Sequence, residues 1–292
     1  MTSVEWLKYS TQILIKSGIS TARLDSIILL EDATGKDRSW LLAHPDYTLQ
    51  ELALFNLNSW IKRRASHEPL AYIRGKSMFY GREFLVSNHT LQPRPETETI
   101  IEMLKEVVIS HQSSANTESI NQQKKLSGYR SFTIIDVGTG CGCLAITAQL
   151  ELPDEIIFGT DISSECIKLA KLNAKNHSVD IKFFKGNLLE SLTNSLTNFQ
   201  ESIIMANLPY VPSIHTINKA AMFEPEIAIF GGADGLEYYR QLFYQINLLT
   251  NKPRYVISEA LPPQHNDLKI ITESAGYFLQ KTVDFIQLFG RL

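Results

Sequence analysis

Cysteine is scarce: Cys141, Cys143 and Cys166 are the only three in 292 residues. An odd and sparse set excludes a disulfide framework and suits a reducing compartment. Cys141 and Cys143 have no matching Cys/His pair nearby, so the expectation is small buried side chains and no metal site. A basic excess is also missing. Lys and Arg number 28 against 31 Asp and Glu, for a formal net charge of -3 and a pI near 6.2. That argues against a partner held mainly through phosphates, so direct nucleic-acid binding is not expected. The one tight basic run, Lys62-Arg63-Arg64, reads as a solvated helix face. No run of ~18 apolar residues occurs, so no membrane span is expected. The first ten residues carry Glu5 and Lys8 without an apolar h-region. No signal peptide is read there, and the expected location is the cytoplasm.

Hydrophobic residues make up 44% and charged residues 20%, enough apolar content for a sizeable core. Residues 3–66 show helical spacing of apolar positions, with Gly18 and Gly35 as stops, and predict a module of about four helices. Residues 72–86 alternate apolar and polar around Gly75 and Gly81, which predicts a β-hairpin. After Pro93 and Pro95 an amphipathic helix is expected over 97–110. Residues 111–130 are rich in Ser, Asn and Gln and are expected to be a flexible, solvated loop. From Phe132 onward, strand-like and helix-like stretches alternate. Strands are expected at 132–137, 156–160, 181–184, 202–206 and 255–259, with a last strand or pair over 277–288. That alternation predicts an α/β fold with a doubly wound parallel sheet. The expected division is a helical domain over 1–70, a hairpin linker over 71–95 and the α/β domain over 96–292.

The sharpest local feature is Asp136-Val-Gly138-Thr139-Gly140-Cys141-Gly142, between a strand and a helix. Glycine there lets the backbone turn tightly and approach a ligand. Asp161 ends the next strand 25 residues after Asp136, where a carboxylate suits ribose hydroxyls. A dinucleotide fingerprint wants its third glycine at position 143, which is Cys143. A carboxylate just ahead of the turn fits a cationic ligand without phosphate, with Asp136 facing the positive end of S-adenosylmethionine. On this segment alone, nicotinamide binding and a glycine turn with no ligand both remain open.

Asn207-Leu208-Pro209-Tyr210 directly follows the buried strand 202–206. In such sheets the carboxyl ends of strands line the ligand crevice. A planar NH2 group is a poor nucleophile because its lone pair is delocalised. Two acceptors, the Asn207 side-chain oxygen and the Leu208 carbonyl, can bind both N–H groups and aim the nitrogen. Tyr210 can then pack on the planar group.

Together these segments resemble the release factor glutamine methyltransferase family (PrmC/HemK). The resemblance also rests on Arg23-Leu-Asp25, His67 to Gly75, Phe79-Tyr-Gly81, Pro93-Arg-Pro-Glu-Thr-Glu98, Glu224 to Leu236 and Asp284 to Arg291. It implies a seven-stranded S-adenosylmethionine-dependent methyltransferase sheet with an N-terminal helical domain that helps bind class I peptide chain release factors. It implies the glutamine of a Gly-Gly-Gln tripeptide as acceptor and S-adenosylhomocysteine as product. Gly138, Thr139, Gly140, Cys141 and Gly142 would hold the donor, Asp161 its ribose, and Asn187 with Leu188 would lie by its adenine. Asn207 and the Leu208 carbonyl would clamp the amide, with Pro209 and Tyr210 shaping the slot. Leu208 departs from the family's first proline, and Asn187 from a frequent acidic residue. A monomer is expected. The competing readings are a methyltransferase acting on adenine N6 or guanine N2 of nucleic acid, and an inactive binding module of the same fold.

Overall fold

The computed structural model describes residues 1–116, 132–193 and 199–291. They fall into two compact units, 1–77 with 217–224, and 78–216 with 225–292.

The first unit is helical: α1 (Ser3–Lys16), α2 (Ala22–Thr34), α3 (Arg38–Ala43), α4 (Glu51–Ala65) and α5 (Leu70–Arg74). Thr2 and Glu5 form a capping box that satisfies the free N–H groups opening α1. Gly35, in the left-handed conformation, closes α2 as expected. Trp6, Leu14, Leu29, Leu30, Leu57 and Ile61 pack into its core. Several segments that carry the family resemblance are ion-paired staples of this unit. Buried Asp25 takes Arg64 at 2.7 Å, Glu68 takes Arg63 at 2.5 Å and Asp32 takes Arg74 at 2.5 Å. Two of the three charges in the basic run are therefore neutralised within the fold. Residues 72–74, expected in the hairpin, instead form the end of α5. Pro69 presets its start and Gly75, left-handed, ends it.

A short hairpin follows, β1 (Lys76–Phe79) and β2 (Arg82–Leu85). Helix α6 runs over Glu98–Asn116, so its last six residues occupy the start of the expected loop. The remainder of that loop lies outside the described residues.

The second unit is a three-layer α/β sandwich. In chain order it contains β3 (Thr133–Val137), α7 (Cys143–Glu151), β4 (Ile156–Asp161), α8 (Ser164–Asn176), β5 (Lys182–Lys185) and β6 (Ser202–Ala206). There follow α9 (Glu226–Ile229), α10 (Glu237–Leu248), β7 (Tyr255–Glu259), α11 (His265–Ser274), β8 (Phe278–Val283) and β9 (Ile286–Gly290). The seven strands are ordered β5-β4-β3-β6-β7-β9-β8. Strands β3 to β7 are parallel, while β9 pairs antiparallel with both β7 and β8. This is the expected seven-stranded fold. Central strands are covered on both faces, which is why 202–206 reads as an unbroken apolar run, every residue of it buried. Strand order reverses between β3 and β6, so their carboxyl ends flank a crevice. Among the described residues no helix is long and apolar enough to cross a membrane.

Candidate active site

A cavity of about 290 Å³ opens at that crevice. Its walls come from the ends of β3, β4, β5 and β6: Gly138 to Cys141, Asp161 to Ser163, Asn187 and Leu188, and Asn207 to Pro209. Segments ahead of α6 and around α9 close it, with Arg94, Thr97 and Ile227 among the lining residues. Ten of the residues expected from sequence thus meet at one cavity. Asp136, Gly142 and Tyr210 do not line it.

The glycine turn is built to spend its own N–H groups. Gly138 and Thr139 donate to the Thr160 carbonyl at 2.9 and 2.8 Å, Gly140 donates to Asp161 Oδ2 at 2.9 Å, and Gly142 donates to the Thr139 carbonyl at 2.8 Å. A phosphate-binding turn must aim such groups at its ligand. Here four of the five, those of Gly138, Thr139, Gly140 and Gly142, are consumed, and Arg94 is the one Arg or Lys in the lining. The cavity therefore suits a ligand without phosphate. Gly138 has φ +77°, and a Cβ there would come within 3.1 Å of the Leu208 side chain. Leu208, where the resembling family has proline, packs down on this turn and is itself buried. Asn173 ties the turn to the hairpin, donating to the carbonyls of Cys141 at 2.8 Å and Leu85 at 2.9 Å.

Asp136 lies beneath the turn rather than in the cavity wall. Its Oδ2 accepts from the Thr139 hydroxyl at 2.6 Å and the Ala145 N–H at 3.1 Å. Its Oδ1 is buried and finds no partner among the described residues. Burial pushes this carboxyl up to about 7. The unfolded chain ionises it near ~3.9, so the neutral form favours the fold. That contribution is complete below pH ~4 and is lost as pH rises through 7, at about 1.4 kcal/mol per unit between. Urea unfolding of Asp136→Asn between pH 4 and 8 is expected to lose this part of the wild-type slope. Parallel wild-type and variant slopes would contradict it.

Asp161 ends β4 with Oδ1 accepting from the Ser163 N–H at 2.8 Å. Burial raises its carboxyl, against the pull of that N–H and of Gly140. Ser163 caps α8, its hydroxyl accepting from the Cys166 N–H at 3.3 Å. Leu188, a non-glycine residue at φ +54°, is held by Gln245, which donates to the Asn187 carbonyl at 3.3 Å and accepts from the Leu189 N–H at 2.8 Å. The Asn187 side chain turns to Glu190 at 3.1 Å. Cys141, Cys143 and Cys166 are free buried thiols; burial pushes Cys166 up to about 12.

At the other end of the cavity, Asn207 Nδ2 donates to the Thr97 hydroxyl at 3.0 Å. Thr97 in turn donates to Glu259 Oε2 at 2.7 Å, and Tyr210 donates to Glu259 Oε1 at 2.9 Å. Asn207 Oδ1 and the Leu208 carbonyl accept nothing from the described residues. Burial raises the Glu259 carboxyl and the Tyr210 phenol. Tyr239, fully buried, bridges the Ala206 and Glu259 carbonyls and accepts the Leu208 N–H at 3.4 Å. Behind Tyr210, Gly231 donates to the Val211 carbonyl at 3.0 Å, and Gln264 donates to the Tyr210 carbonyl at 2.8 Å. Thr97, Gln245, Glu259 and Gln264 went unread in the sequence as site residues. Thr97 had a signal, since it lies in the Pro93 to Glu98 segment.

Residues 5–75 match the PrmC N-terminal domain family, and residues 119–222 match the methyltransferase small domain family. The chain is 31% identical over 261 residues to the release factor glutamine methyltransferase of Bacillus subtilis, covering 88% of this chain and 84% of that one. It is 31% identical over 292 residues to a bifunctional methyltransferase of Rickettsia bellii, covering 94% of this chain and 51% of that one. The chain thus spans about half the length of such bifunctional relatives. The solved hMettl16 catalytic domain in complex with MAT2A 3'UTR hairpin 6 superposes with a TM-score of 0.53 at 14% identity, over 88% of this chain and 93% of that one. That likeness is one of fold.

Proposed function

The chain belongs to the release factor glutamine methyltransferase family, and from that premise we propose that it methylates the side-chain amide nitrogen of the glutamine in the Gly-Gly-Gln motif of class I release factors. The observation that carries this reading is the pair of open acceptors, Asn207 Oδ1 and the Leu208 carbonyl, on residues that line a cavity suited to a phosphate-free ligand. An amide NH2 has two donors and needs two acceptors to hold it. Both hydrogen bonds leave the nitrogen facing one direction and restrict its approach. Two acceptors serve the planar NH2 of an amide or of a base alike, and family membership favours the glutamine amide. So does the neutralised basic run.

The donor supported by the site is S-adenosylmethionine. When bound it supplies a sulfonium methyl group and leaves as S-adenosylhomocysteine, the amide nitrogen gaining the methyl and losing one proton. The residues fit that group. Gly138 and Gly140 present no side chain, and Asp161 offers acceptors for hydroxyls. Leu91, Leu144, Ile162 and Leu188 supply apolar walls.

Asp161→Ala is expected to weaken donor affinity by about 10- to 100-fold, the loss of hydrogen bonds to a charged acceptor. Calorimetric titration with S-adenosylmethionine reads this directly. Asp161→Asn, which retains one acceptor, should fall between. Wild-type affinity in Asp161→Ala would remove its ribose role.

The release factor incubated with labelled donor tests the reaction as a whole. Label on the Gly-Gly-Gln glutamine supports the proposal, and label on nucleic acid instead would replace it.

A further inference from the structure

The Pro93 to Glu98 segment is among the more distinctive in the chain, and the amide clamp alone gives it no task. The structure places its Thr97 between Asn207 and Glu259, two residues that lie 52 positions apart and end neighbouring strands β6 and β7. An asparagine amide has a carbonyl face and an NH2 face of similar shape, and the clamp works only if the carbonyl faces the cavity. We propose that Thr97 and Glu259 are positioning residues that fix which face of the Asn207 amide the substrate meets. This inference rests on the amide-clamp reading of Asn207.

The direction follows from counting protons. An ionised Glu259 carboxylate only accepts. Its Oε1 takes the Tyr210 hydroxyl and its Oε2 takes the Thr97 hydroxyl, so Thr97 has spent its single proton. Toward Asn207, Thr97 can then only accept, and it does so from Nδ2 at 3.0 Å. With Nδ2 committed, Oδ1 is the group left for the acceptor. Glu259 is 1% exposed and Thr97 is 3% exposed, so water does not compete for these bonds. Buried networks of this kind hold one arrangement because every alternative leaves a polar group unpaired. Were Glu259 to donate toward Thr97, each link would reverse and Asn207 would offer its NH2 to the cavity instead. A glutamine amide would then meet donors with its own donors, while a carboxylate would be welcomed.

Three variants separate this from a packing role. Thr97→Val keeps the shape and removes the link. Thr97→Ser keeps the hydroxyl. Glu259→Gln keeps the shape and introduces a donor. Turnover would be measured on a full-length class I release factor. Binding of that factor and of its Gly-Gly-Glu form would be measured by calorimetry in the presence of S-adenosylhomocysteine. Thr97→Val is expected to lower kcat by about 10- to 100-fold, the scale of a misaimed reacting group, with donor affinity unchanged. Thr97→Ser should recover most of that loss. Glu259→Gln should lower kcat at least as far and shift binding preference from the Gln toward the Glu form by about 10-fold or more. Wild-type kcat in Thr97→Val, or an unshifted Gln/Glu preference in a folded Glu259→Gln, would overturn the proposal. If Asn207→Ala also retains turnover, the clamp itself has failed. If Asn207→Ala is inactive while these variants behave as wild type, the clamp stands and the network falls.

Discussion

Asn207→Ala is expected to slow methyl transfer to a release factor by about 10²- to 10³-fold, the loss seen when one preorganised hydrogen-bonding group is removed from a buried site. Donor affinity should move by no more than a few-fold, because the donor end of the cavity is built from the ends of β3, β4 and β5. The variant removes Oδ1 and leaves the Leu208 carbonyl as a single acceptor. One hydrogen bond holds an amide but lets it swing, so the loss should fall on the chemical step. Single-turnover kinetics at saturating donor would show it there, and calorimetry would show donor binding intact. The Thr97 hydroxyl keeps Glu259 as a partner, so the fold should tolerate the change. Retained turnover would sink the clamp.

Gly235→Ala is expected to damage both stability and activity, through the backbone that carries the clamp. Gly235 has φ +83°, and a Cβ there would stand 2.1 Å from the Tyr210 carbonyl oxygen and 2.2 Å from Gln264 Nε2. Gln264 donates at once to the carbonyls of Tyr210 and Asp234, so the added carbon strikes the bond that seats the Asn207 to Tyr210 turn. Gly276 supplies the control, because it has the same φ of +83° with nothing within 4 Å of its added Cβ. Gly276→Ala should cost only the left-handed backbone, about 1 kcal/mol, and leave turnover alone. Gly235→Ala should cost a further 1–3 kcal/mol or so for overpacking and slow transfer by at least about 10-fold. Denaturant unfolding of the two variants beside wild type measures the difference. Equal losses would show that the steric contact does not matter.

The sheet was legible because its signals are local. Buried strands such as 202–206 and 255–259 read as short apolar runs between breakers, and both keep their expected bounds. Gly35 marked a helix end by its turn chemistry. Helices α10 and α11 went unread because neither opens on a side-chain cap, so their starts carry no local mark. Residues 72–74 misled through Tyr72 and Ile73, whose strand preference is overruled by Pro69 and Gly75 at the ends of α5.

The site followed the same division. Residues at strand ends could be placed because the fold sends those ends to one crevice. The partners that orient them could not. Thr97 lies 110 positions before Asn207, and Gln245 lies 57 after Leu188, so only the tertiary fold brings them together. Asp136 was expected to face the donor from its place ahead of the glycines. The turn folds over it instead, since its carboxylate takes the Thr139 hydroxyl and the Ala145 N–H.

The most direct test is methyl transfer from labelled S-adenosylmethionine to a purified class I release factor, followed by mass spectrometry of the Gly-Gly-Gln peptide. One methyl group on that glutamine, absent when the glutamine is replaced by alanine, is the expected result. A protein that binds the donor yet leaves the glutamine unmodified would contradict the account.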